Sequence, residues 1–227
     1  MPAHRDLDQD FFKTWTPEMA YMLGYFAADG SMIRNKRGAH FIEFTTTDRI
    51  LLMHLKRVSG AAQRISVRVK RNENWKRQYR LQIGSKKWFS DLINLGFTQS
   101  KSGTLRFPEI PGAYFGNFVR GYFDGDGCVY FKRHYSKSHR KQIWVLVTLF
   151  TSGSQPFLQN LHERLLQRGV IGGHIAKKSN GYELVFSRRD SLALCRIMYN
   201  TADIADLWLP RKRKKLEKAI QVLGLDK

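Results

Sequence analysis

Residues 22–30 read MLGYFAADG and residues 119–127 read VRGYFDGDG. Each stretch ends in a small residue, an aspartate and a glycine: Ala28-Asp29-Gly30 and Gly125-Asp126-Gly127. Asp29 and Asp126 stand close to half a chain length apart, which predicts a duplicated unit with one acidic residue per copy. Small residues also recur at every fourth position: Ala20, Gly24 and Ala28 in the first copy, Asn117, Gly121 and Gly125 in the second. Residues four apart share one face of a helix. Without large side chains on that face, two helix backbones can approach inside the usual interaxial distance. Paired in this way, the helices would bring Asp29 and Asp126 together at the foot of a pseudo-two-fold axis. Met22, Leu23, Tyr25 and Phe26 would then turn to the first half's own core.

Such a meeting of carboxylates carries an electrostatic cost. Each aspartate ends a helix, where the dipole already presents negative charge, and the two repel one another. A divalent cation relieves both. Asp29, Asp126 and the last-turn carbonyls of Ala28 and Gly125 are hard oxygen donors of the kind that suit Mg²⁺. For a single copy, an Asp-Gly turn that merely stops a helix is a sufficient explanation. Two copies at equivalent points favour a metal site.

The chain has 227 residues, 42 % of them hydrophobic, enough for a real core in one domain or two small ones. Lys plus Arg number 39 against 19 Asp plus Glu, a net charge of +20 that points to a nucleic-acid partner. Two cysteines, Cys128 and Cys195, give neither a disulfide framework nor a zinc site of their own, and fit a reducing compartment. The acidic, polar start MPAHRDLDQDFF does not read as a secretory signal. No apolar run approaches the roughly 18 residues that span a bilayer. An intracellular setting is expected, with no membrane partner. No phosphate-binding loop, dinucleotide fingerprint or Ser/His/Asp grouping supports nucleotide hydrolysis.

The duplication extends past the nonapeptide. Phe44-Thr45-Thr46-Thr47-Asp48 leads into Leu51, Leu52, Leu55 and Val58; Phe150-Thr151-Ser152-Gly153-Ser154 leads into Phe157, Leu158, Leu161 and Leu165. Both predict a strand running into an N-capped helix. Tyr79–Ile83 before Trp88 and Leu92 matches Tyr182–Phe186 before Leu192 and Leu194. Each half therefore reads helix, two strands, helix, two strands, helix, an α+β pattern. Thr16, Pro17 and Glu18 predict the first motif helix, running to Asp29, with Gly30 letting the chain turn away. The second is predicted from Pro111–Ala113 to Asp126. The expected units are 1–98, a linker over 99–112, and 113–227 ending in a basic helix from Pro210 with Leu216, Ile220 and Leu223 on one side.

Alternation over 64–70 sets Arg64, Ser66, Arg68 and Lys70 against Ile65, Val67 and Val69; Gln78, Arg80 and Gln82 oppose Tyr79, Leu81 and Ile83. The polar row reads either as a solvated face or as donors for base edges in the major groove, and the global charge favours DNA. Arg34, Lys36, Lys132, His134, Lys177 and Lys178 are further DNA-binding candidates. The block Pro210-Arg211-Lys212-Arg213-Lys214-Lys215 reads as phosphate contacts, a nuclear localisation signal or a solvated helix face. The tryptophans read as core or rim residues.

LGYFAADG and RGYFDGDG resemble the LAGLIDADG homing endonucleases in their single-chain, two-motif form. Leu95-Gly96-Phe97, Lys101-Ser102 and Phe107-Pro108, leading to Phe118-Val119-Arg120-Gly121, resemble the approach to the second motif in that family. The resemblance covers nearly the whole chain. It implies two pseudo-symmetric αββαββα units whose saddle-shaped antiparallel sheets straddle duplex DNA, with the motif helices paired at the centre. It implies a monomer that cuts both strands of a long, weakly pseudo-palindromic site and leaves short 3′ overhangs. It implies Asp29 and Asp126 as catalytic metal ligands, Mg²⁺ as cofactor, Mn²⁺ as a substitute, and Ca²⁺ as an ion that binds without supporting efficient cleavage. By order of elements, it makes Thr45, Thr151, Lys86 and Arg188 the peripheral catalytic candidates. The first motif departs at Ala27, where many members and the second copy (Asp124) carry an acid; that position lies outside the metal shell. The family also includes intron RNA maturases, the alternative function, with intron RNA as partner. Its setting would be a prokaryotic cytoplasm or an organelle.

Overall fold

Thr16 opens the first helix as expected: its Oγ1 accepts the Met19 amide at 3.1 Å, and Pro17 occupies the first turn. This helix, α1 (Pro17–Asp29), is followed by β1 (Gly30–Arg34), β2 (His40–Thr46), α2 (Arg49–Ser59), β3 (Ser66–Arg68), β4 (Gln78–Gly84) and α3 (Lys86–Asn94). A short α4 (Lys101–Thr104) and a 3₁₀ turn (Gly112–Tyr114) lead to α5 (Phe115–Asp126), which carries the second motif. Then come β5 (Gly127–Ser136), β6 (Lys141–Ser152), α6 (Gln155–Leu166), β7 (His174–Lys178), β8 (Gly181–Phe186), α7 (Arg188–Tyr199) and α8 (Pro210–Leu223). The structure is a computed structural model and describes residues 7–225 apart from 69–73, 75, 100 and 201–206. Lys70, Val69 and Trp75 therefore lie outside the described residues.

Two four-stranded antiparallel sheets follow the same order, β1-β2-β4-β3 and β5-β6-β8-β7. Their registers also match, Gly30 pairing with Phe44 and Gly127 with Phe150. Each sheet turns one face inward, with Phe44, Leu81 and Ile83 in the first and Phe150, Leu184 and Phe186 in the second fully buried. The motif helices supply the matching rings. Tyr25 stacks on Phe44 at 5.9 Å and Tyr122 on Phe150 at 6.3 Å, while Phe26 and Phe123 meet the same rings edge-on. Met22, Leu23, Tyr25 and Phe26 are all fully buried.

The motif helices touch backbone to backbone. A Cβ built on Gly24 would lie 2.0 Å from the Phe118 carbonyl oxygen and 2.9 Å from the Tyr122 amide nitrogen. On Gly121 it would lie 2.0 Å from the Tyr21 carbonyl oxygen and 2.9 Å from the Tyr25 amide nitrogen. These are the same two relationships with the halves exchanged, which is the signature of a two-fold crossing through the glycines. Gly30 and Gly127 cap the ends of the two motif helices as expected, but not in the left-handed conformation. Their backbones are extended (φ −81° and −92°), and they begin β1 and β5. A Cβ at either would strike the ring of Phe26 or Phe123 at 2.1 or 2.2 Å, so lack of bulk, not left-handed conformation, selects glycine there.

Three further expectations change. Strand β3 is only Ser66–Arg68, so Arg64 precedes it; Val67 is 55 % exposed, because this edge strand is short and pairs on one side alone. Asp48 makes no side-chain cap to α2. Its two oxygens instead accept from Arg211 at 2.9 and 2.7 Å, joining the first half to α8. Half of the basic block at 210–215 is accordingly engaged within the protein: besides Arg211, Arg213 binds Glu217 and lies 4.2 Å over the Trp208 ring, and Lys212 is 6 % exposed, while Lys214 and Lys215 are exposed.

Gly24→Ala or Gly121→Ala should destabilise the fold by about 3 kcal/mol or more, at the upper end of overpacking effects. Gly103→Ala, where nothing lies within 4 Å, should stay within about 0.5 kcal/mol of wild type in urea denaturation. Arg211→Ala should cost less than about 1 kcal/mol at neutral pH, because the Arg211 side chain is 59 % exposed. Hydrogen bonding to Arg211 holds the Asp48 carboxyl below its ordinary value. That contribution is complete above the unfolded value of about 3.9 and is lost as pH falls through the folded one. The stability gap between wild type and Arg211→Ala should therefore close in acid, as denaturation curves across pH would show.

Candidate metal centre and nucleic-acid interface

The helix crossing sets where the carboxylates go. A Cβ on Gly125 would lie 2.4 Å from the Ala28 Cβ and 3.3 Å from Oδ2 of Asp29, so the Asp29 carboxylate lies over the last turn of α5. Burial raises Asp29 to about 7, with the charge of Asp126 as the next largest cause. Burial also raises Asp126. The two acids thus share one poorly hydrated place and oppose each other's ionisation.

Two lysines answer that charge. Lys101, from α4, donates from Nζ to the carbonyls of Ala27 at 2.7 Å and Ala28 at 3.1 Å. Lys212, from α8, donates to those of Phe123 at 2.7 Å, Asp124 at 2.8 Å and Gly125 at 3.0 Å. Each motif helix thereby receives one ammonium at its C-terminus, where the unpaired carbonyls and the dipole favour a cation. Burial lowers both ammonium groups to about 8, while Asp29 and Asp126 act to raise them. The Ala28 and Gly125 carbonyls, expected as metal donors, are thus already accepting from lysine. A carbonyl has two lone pairs, so each keeps one for another partner.

Sequence reasoning missed this pair. Lys101 was absorbed in the family phrase and Lys212 in a block read as phosphate contacts, nuclear signal or solvated face. One signal was available: Lys212 precedes Leu216 by four residues and so falls on the apolar stripe of α8, and both are buried. The expected basic pair is placed elsewhere. Lys86 and Arg188 are the exposed first residues of α3 and α7, and Arg188 donates to the Leu223 carbonyl at 3.0 Å. Among the described residues no contact joins either to Asp29 or Asp126. Thr45 lies on the outward face of β2, opposite Phe44 in the alternation. Thr151 is exposed, and it is its carbonyl that is held, by the Tyr122 hydroxyl at 2.7 Å.

Asp124 is a structural tie. Buried and raised to about 6 by that burial, it accepts from the Tyr21 hydroxyl at 2.8 Å and the Leu209 amide at 2.8 Å. It joins α1, α5 and the entry to α8.

The donor set fits a hard, hydrated cation. Among the described residues no three acidic, His or Cys side chains gather as a ligand cluster. The chain offers two carboxylates and two carbonyls. Mg²⁺ commonly binds through one or two carboxylates, keeping waters and taking the remaining oxygens from a phosphate.

The outward sheet faces hold most of the expected DNA-binding residues. Ser66 opposes Arg80, Arg68 opposes Gln78, and Glu43 opposes Gln82. Glu43 puts an acid on this otherwise polar and basic face. It accepts from Gln82 at 3.1 Å and lies 3.7 Å from Arg80, fixing both side chains. Arg64 is exposed just before this row, and Lys36 sits at the exposed β1–β2 turn. Lys132 and His134 share the outward side of β5 opposite Val145 and Ile143. Register separates two residues from these rows. Lys177 alternates with Lys178 and shares the side of Ile175, so Lys178 alone is outward, paired with Glu183 at 3.1 Å. Arg34 shares the side of Met32, at the exposed end of β1.

A family model described as "LAGLIDADG-like domain" matches residues 16–93 and 115–198. No curated protein sequence matches the chain. Three solved structures share the fold over nearly the full length. LAGLIDADG meganuclease I-AabMI bound to uncleaved DNA is 14 % identical, covering 93 % of this chain and 91 % of that one at TM-score 0.61. The I-SmaMI LAGLIDADG homing endonuclease bound to cleaved DNA is 16 % identical, with 94 % and 91 % covered at 0.59. The I-LtrWI LAGLIDADG homing endonuclease bound to target DNA is 13 % identical, with 96 % and 92 % covered at 0.58. Two matched units, residues 16–93 with a motif helix ending at Asp29 and residues 115–198 with one ending at Asp126, place this chain in the LAGLIDADG family.

Proposed function

We propose that this protein is a site-specific endonuclease that hydrolyses both strands of duplex DNA with a divalent metal and leaves short 3′ overhangs. The observation that carries the reading is the placement of the Asp29 carboxylate over Gly125, beside Asp126, at the seam between two basic units. The structural neighbours were solved with uncleaved, cleaved and target DNA, which supports a DNA partner here.

Asp29 and Asp126 would hold Mg²⁺, with Mn²⁺ able to replace it and Ca²⁺ supporting binding alone. Bound there, the ion supplies charge neutralisation at the scissile phosphate and an activated water. The remaining work belongs to the chain. Half-buried, the carboxylates are poorly hydrated, and they become strong metal donors once a cation offsets their repulsion. Lys101 and Lys212 hold the last-turn carbonyls and set positive charge beside the site of phosphate transfer, where fixed charge stabilises a developing anion. The outward rows of both sheets would position the duplex across the seam. The two units in one chain already supply both aspartates, so a monomer suffices, and an intron-encoded, intracellular protein is the setting we favour.

The test is cleavage of a library of long duplexes with Mg²⁺ by wild type, Asp29→Asn and Asp126→Asn. Each substitution should lower cutting by about 100-fold or more while DNA binding in Ca²⁺ survives. Undiminished cutting by the doubly substituted protein would place the chemistry elsewhere.

A further inference from the structure

The two outward sheet faces differ in chemistry at the positions next to the motif, although Ile33 opposite Phe41 adds one apolar pair to the first. In the first sheet the row beyond the motif is Ser31, Glu43 and Gln82, with Arg80 and Gln78 further along β4. In the second, the same register gives Cys128, Leu149 and Val185. Where Glu43 and Gln82 hydrogen-bond across strands, Leu149 and Val185 face each other instead. The outward side of β6 continues this way: Ile143, Val145, Val147 and Leu149 are four aliphatic side chains in succession, all half-buried. They are not core residues. The alternate positions Leu146, Thr148 and Phe150 are the buried ones. Exposed cations border the stripe, with Lys132 opposite Val145 and Lys178 at the end of β7.

This stripe has no donor with which to read a purine. What it can recognise in a major groove is a methyl group, and thymine carries one at C5. The basic border and the net charge of +20 place a polyanion over it, and the stripe continues the face proposed above to meet DNA. We propose that the C-terminal sheet reads its half-site through thymine methyl groups. The N-terminal sheet reads its own through hydrogen bonds from Gln78, Arg80 and Gln82. The target is then chemically lopsided although the protein is pseudo-symmetric. The inference rests on the endonuclease reading for its DNA, but not on the cleavage step.

The experiment selects sites from a randomised duplex library in Ca²⁺. It then replaces thymine by deoxyuridine, which keeps base pairing and removes the methyl, in one half-site at a time. Leu149→Gln identifies the C-terminal half-site by the positions whose preference it alters. Thymine should be enriched in that half, and each uracil there should weaken binding by roughly four-fold, the effect of one buried methyl-sized group. Uracil in the other half should change affinity less than about two-fold. Leu149→Gln should also abolish the uracil effect at the position it contacts. Specific binding with equal or no uracil sensitivity in the two halves would overturn the inference and leave the endonuclease reading intact. Failure to select any DNA would overturn both. A free protein that sediments as a dimer and becomes a monomer on Leu149→Gln would assign the stripe to self-association and overturn the inference.

Discussion

The approach of α1 and α5 through Gly24 and Gly121 governs the rest of the molecule. With no side chain on either residue, each glycine lies against a carbonyl of the opposite helix, and Tyr25, Phe26, Tyr122 and Phe123 turn to the two sheets. Two consequences follow from this contact. The halves become related by a local two-fold, because each glycine meets the residue three positions before its counterpart. The helix ends then converge, since Ala28 and Gly125 lie one turn further along the same rows and still meet, a Cβ on Gly125 falling 2.4 Å from that of Ala28.

Convergence concentrates negative charge where helix dipoles already place it, and the fold answers with Lys101 and Lys212. Among the described residues neither lysine forms a short-range pair with an acid. Each hydrogen-bonds a last-turn carbonyl set and acts on Asp29 and Asp126 through space. The lysines therefore do not occupy the carboxylate oxygens, as the proposed metal site requires. The lysines arrive from outside the motif helices, one from the connection between the halves and one from α8. The connection and the C-terminal helix are therefore parts of the centre, and Arg211 clamps α8 to Asp48 of the first half beside it.

Much of the fold was legible because the duplication repeats local signals. Thr16 and Pro17, the small-residue rows, and the alternation of Gln78, Arg80 and Gln82 with Leu81 and Ile83 each specify geometry from nearest neighbours. What was missed depends on long-range partners. Lys101 finds carbonyls more than 70 residues back, and Lys212 finds them nearly 90 residues back. Asp48 reads as a helix cap until Arg211, distant in sequence, takes both of its oxygens. Lys177 and Lys178 read alike as a basic pair until strand register puts them on opposite sides. The mixed character of the two outward faces was lost for a similar reason. Ile143, Val145, Val147 and Leu149 alternate with Trp144, Leu146, Thr148 and Phe150, so apolarity on both sides of β6 hides which side is core.

A double-mutant cycle on the metal-free protein tests most directly whether the helical seam presses two carboxylates together. Asp29→Asn, Asp126→Asn and the double substitution would be unfolded with urea in mildly alkaline, chelator-containing buffer, above the value of about 7 to which Asp29 is raised. The expected result is a repulsive coupling on the order of 1 kcal/mol, each substitution being more favourable when the other acid is present. Stability changes that add to within about 0.5 kcal/mol would mean that the two acids do not share a site, and would contradict the account.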